Sequence, residues 1–261
     1  MGETVGDEIK TENKKGEIDK LIMTANSLRM KGEYDQALNL LNEAEKIAKE
    51  LRNDMRKRAM GDISHHKART LQAMGRYKES LIEIEKAIRL RRKDPIQRVY
   101  SMFQRYILKT YAGMKILSKE AKETEKALLA AIVESEDAKQ IGDFFQNLAY
   151  IEQKYRSVHK AILFYKTAMI FREEANDERG KAMTQARLAE CYNQLADKEE
   201  SQEFKFRALT YGLKALDYFK KVGDPERVKQ MQSVFEDLLD YFKKVGDPVR
   251  IEQVQSVLEE L

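Results

Sequence analysis

Gly32-Glu-Tyr-Asp-Gln-Ala-Leu-Asn-Leu-Leu-Asn-Glu-Ala44 is the stretch on which the fold turns. Its pattern returns as Gly75-Arg-Tyr-Lys-Glu-Ser-Leu-Ile-Glu-Ile-Glu-Lys-Ala87 and, more loosely, as Arg156-Ser-Val-His-Lys-Ala-Ile-Leu-Phe-Tyr-Lys-Thr-Ala168. A glycine opens a turn in the first two copies. An aromatic or Val follows two residues on, and a small residue three later. A bulky residue comes after four more, and Ala after another three. This spacing gathers the small and bulky residues on one helical face, and its recurrence marks a repeat architecture. Upstream of the first copy, Ile18, Leu21, Ile22, Ala25 and Leu28 also recur at helical spacing. The two segments predict one helical hairpin reversed at Gly32. Ala25 and Ala37 fall where the helices cross, because only a small side chain lets two axes approach to about 8–10 Å.

The first-helix Ala position recurs at Ala68, Ala149 and Ala189, with a degenerate copy around Lys109. A second signal runs between the pairs: Asn53-Asp54, Asp94-Pro95, Gly142-Asp143, Asn176-Asp177, Gly223-Asp224-Pro225 and Gly246-Asp247-Pro248. Asp is a good N-cap, Gly or Asn before it suits the left-handed residue that ends a helix, and Pro at the first helical position loses no needed hydrogen bond. These six sites are read as turns. Lys198 to Glu203 should lengthen the turn or the second helix of the fifth pair. At the end of the chain, residues 216–238 and 239–261 are a tandem duplication, identical at 17 of 23 positions. Its Gly-Asp-Pro breaks predict a helix from Pro225 to Lys244 and another from Pro248 to Leu261.

The chain resembles the tetratricopeptide repeat (TPR) superfamily. It is closest to the subclass with a period of roughly 40 residues, to which kinesin light chains, LGN-type adaptors, Rap regulators and SNAP-type adaptors belong or stand near. The clearest matches are residues 32–44, 75–87, 148–168 and 178–196. The resemblance implies an all-α fold: a right-handed superhelical α-solenoid of about five helical hairpins, residues 16–222, closed by two C-terminal helices, residues 223–261. Terminal repeats cover an open core edge, so the duplicated helices are expected to be a cap. Their alternative is a seam for self-association as a homodimer or for a partner helix. Residues 1–15 read as a disordered tail, and Met1-Gly2 lacks the Ser or Thr that a myristoylation motif places where Gly6 stands.

The chain of 261 residues carries 48 basic and 44 acidic side chains, a net charge of +4. That is well short of a dedicated nucleic-acid binder, whose cations segregate onto one surface. One cysteine, Cys191, excludes an internal disulfide framework. No apolar run spans a bilayer, and a cytoplasmic location is expected. No phosphate loop, nucleophile elbow or paired-carboxylate motif appears. His65 and His66 are adjacent on a helix and point about 100° apart, so they cannot chelate one ion together. Hence no enzyme activity, catalytic residue, cofactor or metal is expected.

The expected function is a non-enzymatic scaffold or adaptor for a partner peptide or helix. Its alternative is a peptide-responsive sensor of the Rap kind, and after that a basic-surface nucleic-acid adaptor. In a TPR superhelix the first helix of each hairpin lines the groove. Counted from each Ala, that places Asn26, Arg29, His65, Arg69, Gln72, Gln146, Tyr150, Gln153, Glu190 and Asn193 in the groove, with Arg105 if the third hairpin keeps its phase. Three of these are Arg, all in the first three hairpins, so the partner should carry an acidic segment lying toward that half. A competing site is a basic ridge of Arg89, Arg91, Arg92, Lys93 and Arg98, flanked by Arg52, Arg56, Lys57 and Arg58 on the neighbouring turn. The carboxylate clamp of chaperone-binding TPR proteins is not expected. Asn26 matches that pattern, but Ile22 and His66 occupy its Lys and second Asn positions.

Overall fold

The computed structural model describes residues 5–116 and 118–261, apart from the side chains of residues 5–10 and 118. Among these residues are twelve α-helices and no strand. The chain divides into two compact units, Met1–Ala127 and Leu128–Leu261.

The first unit holds α1 (Val5–Met30), α2 (Tyr34–Lys49), α3 (Asn53–Ala73), α4 (Tyr77–Leu90) and α5 (Pro95–Tyr111). In sequence, α6 (Ser118–Glu134) crosses the division. Helix α1 packs on α2 and α3 on α4, and each second helix also meets the first helix of the next pair. The turns between α1 and α2 and between α3 and α4 are closed by Gly32 (φ +82°) and Gly75 (φ +73°), where a Cβ would be strained. Ala25, Ala37, Leu41 and Ala44 are buried with Ile18 in the first core. Ala68, Ile84, Ala87 and Leu108 form the second. Leu108, not Lys109, therefore occupies the core side of α5. Lys109 is half-buried and donates to Glu120 at 2.6 Å. The register shifts by one because an ammonium cannot enter an apolar core without a partner.

The second unit holds α7 (Ala138–Tyr155), α8 (Val158–Glu174), α9 (Glu178–Glu199), α10 (Gln202–Lys221), α11 (Pro225–Val245) and α12 (Pro248–Glu259). One apolar cluster runs from Ala149 through Tyr165, Tyr192 and Phe219 to Phe242 and Val254. Helix α11 packs on α9 and α10, and α12 packs on α11. All three prolines open helices behind an aspartate N-cap. Asp94 accepts from the Gln97 amide at 3.0 Å, Asp224 from Arg227 at 3.2 Å and Asp247 from Arg250 at 3.1 Å. Cys191 is buried in this core, and burial above all pushes its thiol pKa up to about 12, which leaves it unreactive.

Three expected boundaries move. Helix α1 begins at Val5, inside the segment read as a tail, and Lys14 pairs with Glu50 at 2.8 Å. The Met1-Gly2 motif lies outside the described residues. Gly142-Asp143 is inside α7, whose N-cap is Asp137, and α3 starts at Asn53 behind Arg52. Gly142 serves close approach rather than a turn: a Cβ there would stand 3.1 Å from Arg172 Cγ. The stretch from Lys198 to Glu203 is shared out: Lys198 and Glu199 end α9, left-handed Glu200 (φ +51°) and the cap Ser201 make the turn, and Gln202 and Glu203 open the second helix, α10.

Candidate partner-binding face

Helices α1, α3 and α5 touch in sequence order within the first unit, and α7, α9 and α11 do so within the second. The first-helix residues of each unit thus share a face. What they do there differs between the units.

In the first unit the expected residues come together as a cationic patch. Arg29 on α1 donates to Asn26 at 2.8 Å. Burial, and then the positive charge of Arg29, lower the Arg69 guanidinium to about 10. Arg69 has no ion pair or hydrogen bond among the described residues. His66, absent from the expected groove residues, also belongs to this face. Burial, then Arg69, Arg91 and Arg29, push its imidazole down to about 3, and its buried Nδ1 has no hydrogen-bond partner. His65 is held well below the ordinary imidazole range by burial and then by Arg91, and its Nδ1 lies 3.2 Å from Ser101 Oγ of α5. Gln72 accepts a hydrogen bond from Gln104 of α5. Arg105 lies beside α4, donating to Glu85 at 3.3 Å. Both histidines are therefore neutral at pH 7, and the patch carries its charge on arginine.

In the second unit, the expected residues are largely consumed by the fold. Gln153 and Asn193 are buried. Gln153 accepts from the Tyr165 hydroxyl at 3.0 Å, while Asn193 accepts from Lys205 at 2.8 Å and donates to Asp237 at 3.1 Å. Neither amide is presented outward, because both side chains lie buried in contacts within the unit. Gln146 accepts from Arg172 and Thr184, each at 2.9 Å. Glu190 takes two bonds from Arg187, at 2.8 and 3.0 Å, and Arg187 lies over the Tyr150 ring. Helical phase alone does not tell an outward position on a first helix from one turned toward the hairpin's own second helix, where Gln153 meets Tyr165 of α8 and Asn193 meets Lys205 of α10.

The ridge also needs correction. Arg91 is buried, 5% exposed, and donates to Asp62 at 2.6 Å, Ser101 at 2.7 Å and the Gln97 carbonyl at 3.0 Å. It is a structural clamp, repeated in the second unit by Arg172, 3% exposed, on Asp143, Gln146 and Asp177, all at 2.9 Å. Each guanidinium crosses a glycine-aspartate pair on a first helix, Gly61-Asp62 or Gly142-Asp143. The equal spacing of those pairs from their arginines was a signal available in the sequence. Arg89, Arg92, Lys93 and Arg98 remain exposed. Arg89, Arg92 and Lys93 line one pocket together with Lys57, Arg58 and His66, so the inter-repeat turn and the first-helix face adjoin.

Among the described residues no group of three His, Cys, Asp or Glu side chains could hold a metal ion, and no helix is long and apolar enough to cross a membrane.

The fold is that of TPR-like repeat proteins. No family model and no curated protein matches the chain. Among solved structures, BtubC (BKLC) from P. vanneervenii aligns with a TM-score of 0.60 at 16% identity over 93% of this chain and 90% of its own. The apo form of RapI aligns with 0.59 at 14% identity over 94% and 82%. A kinesin light chain protein with TPR-like repeats from Podosopora anserina aligns with 0.52 at 18% identity over 74% and 94%.

Proposed function

We propose that this protein is a non-enzymatic interaction module whose first-unit helix face, built from α1, α3 and α5, binds an acidic segment of a protein or peptide partner. The observation that carries this reading is Arg69. It is a half-buried guanidinium beside Arg29 and the two neutral histidines, with no carboxylate of its own among the described residues. Folding ordinarily pairs such a group. An incoming carboxylate would form charge-assisted bonds with it and relieve its repulsion from Arg29. A peptide partner is known in the fold, since one similar structure is the Rap conjugation gene regulator of the plasmid pLS20 in complex with the Phr* peptide. That complex also favours a second reading, in which an acidic peptide acts as a signal and alters hydrogen exchange in the unit it binds.

The test is an array of short synthetic peptides of graded charge, probed with the wild-type chain and with Arg69→Glu. Acidic peptides should bind the wild type, with an affinity that falls steeply as salt rises. Arg69→Glu should weaken this binding at least about tenfold and keep its thermal stability. Binding of acidic peptides that is indifferent to Arg69→Glu would reject the face.

A further inference from the structure

The first unit holds a pocket of about 830 Å³ between α1, α3 and the turn that follows α4. Its volume is that of a site for a drug-sized group. One part of its wall is apolar: Ile22 and Met23 from α1 and Leu90 from α4. Met23 is 74% exposed, so it offers a flexible thioether to whatever enters.

The rim is cationic, and its charges are unequal in availability. Arg91 is committed to Asp62, and Lys93 lies 3.6 Å from Asp54. Asp94 is engaged as the cap of α5. That leaves Lys57, Arg58, Arg89 and Arg92, none with an ion pair among the described residues, facing a single further lining carboxylate, Asp19. His66 completes the wall with its unpartnered Nδ1. Surplus cations around an apolar floor suit a ligand that is apolar at its centre and anionic at its edges. No Tyr, Phe or Trp lines the pocket, so nothing there stacks a nucleobase as single-stranded nucleic acid requires.

We infer that this pocket is the anchor site of the interaction surface, taking one bulky apolar side chain from a segment whose sequence neighbours are acidic. The apolar side chain lies on Ile22, Met23 and Leu90, and the flanking carboxylates meet Arg58, Arg89 and Arg92. The inference rests on the acidic-segment reading above and adds what that reading lacks, a determinant of sequence. Charge alone selects a class of partner, whereas a shaped apolar pocket selects among acidic segments.

Two fluorescent peptides test it, one of alternating Asp and Glu with a central Leu and its twin with a central Ala, titrated by anisotropy. The Leu peptide should bind about tenfold more tightly, the effect of burying one large side chain in place of a small one. Met23→Glu, a change at an exposed position, should erase that preference. Arg58→Glu with Arg89→Glu should weaken both peptides at least about tenfold, as loss of charge-assisted contacts does. Arg69→Glu should weaken both peptides alike and leave the Leu preference in place. Equal binding of the two peptides, lost only in Arg69→Glu, would overturn the pocket and leave the helix face standing. A Leu preference lost in Met23→Glu, with no response to Arg69→Glu, would do the reverse. Failure of both peptides to bind, with capture of a single-stranded oligonucleotide instead, would overturn both.

Discussion

Arg91 and Arg172 each lie across a glycine of the preceding first helix, and the glycine is what makes room. A Cβ on Gly180, in the next first helix, would stand 1.4 Å from Arg172 Nη1 and 2.2 Å from Asp177 Oδ2. Gly180→Ala must therefore displace the Arg172–Asp177 pair and should destabilise the protein by up to about 3 kcal/mol in chemical denaturation, the low end for breaking a buried pair. Arg172→Met should cost a similar amount, the low end for breaking a buried pair, because Asp143 reaches solvent. Arg172→Lys should recover little of it, since a point charge cannot span three acceptors. Arg91 shows why such residues are hard to read from sequence. It stands among four cations in the five residues 89–93 with nothing local to say which one turns inward, and it is the distant Gly61-Asp62 that decides. His66 makes a pH prediction. Its folded-state value of about 3 lies below the unfolded value near 6.5, so below that pH the unfolded chain takes a proton that the folded one refuses. Stability is full above about pH 6.5 and declines toward pH 3, by at most about 1.4 kcal/mol per pH unit for each such group. His66→Asn should flatten the decline measured between pH 5 and 6.5. That window avoids Glu45, where burial is outweighed by hydrogen bonds from Lys67 and Lys86 that hold the carboxylate down, and whose contribution is lost only at lower pH.

At the scale of elements, the legible parts were those written in local chemistry. Gly32 and Gly75 require positive φ, and the three Asp-Pro steps require a cap and a fixed φ, so α2, α4, α5, α11 and α12 begin within a residue or two of their signals. Gly142-Asp143 misled because the same dipeptide serves a close approach within α7, and a glycine's reason is tertiary there. The site divided likewise. Helical phase brought Asn26, Arg29, His65 and Arg69 to one face, but Gln153 and Asn193 share that phase and are buried by contacts with α8, α10 and α11 that no pattern in α7 or α9 announces. The C-terminal helices are integral to the second core. Phe242 is fully buried and stacks on Phe206 with ring centroids 6.0 Å apart. Phe242→Ala should cost about 3–5 kcal/mol. Deleting residues 239–261 removes this ring together with Val254, and should lower the melting temperature or cause aggregation by uncovering Phe206 and Phe235. A truncated chain that stays soluble and equally stable, losing only self-association, would assign these helices to an interface.

Over the whole molecule, stability in a repeat chain is built from neighbour-to-neighbour contacts. A local lesion should therefore register locally. Hydrogen exchange on Arg172→Met is expected to accelerate in α7 to α9 and to stay near wild type in α1 to α4, whereas Lys67→Met, which breaks the link to Glu45, should do the opposite. A uniform loss of protection would mean that the chain unfolds as one cooperative body. The tail duplication bears on how such a chain changes length. Each copy of 23 residues carries the end of one helix, a Gly-Asp-Pro break and most of the next helix, so it brings its own stop and its own start. Segments that encode similar sequences in tandem can misalign when they are copied or recombined. Here the product of such an error remains foldable, because gaining or losing one copy adds or removes one whole helix and leaves every other boundary intact. Each event also reverses the direction in which the chain leaves the stack. The tail is thus a place where inheritance can lengthen this protein one helix at a time, with each step delivering whatever follows to the opposite side.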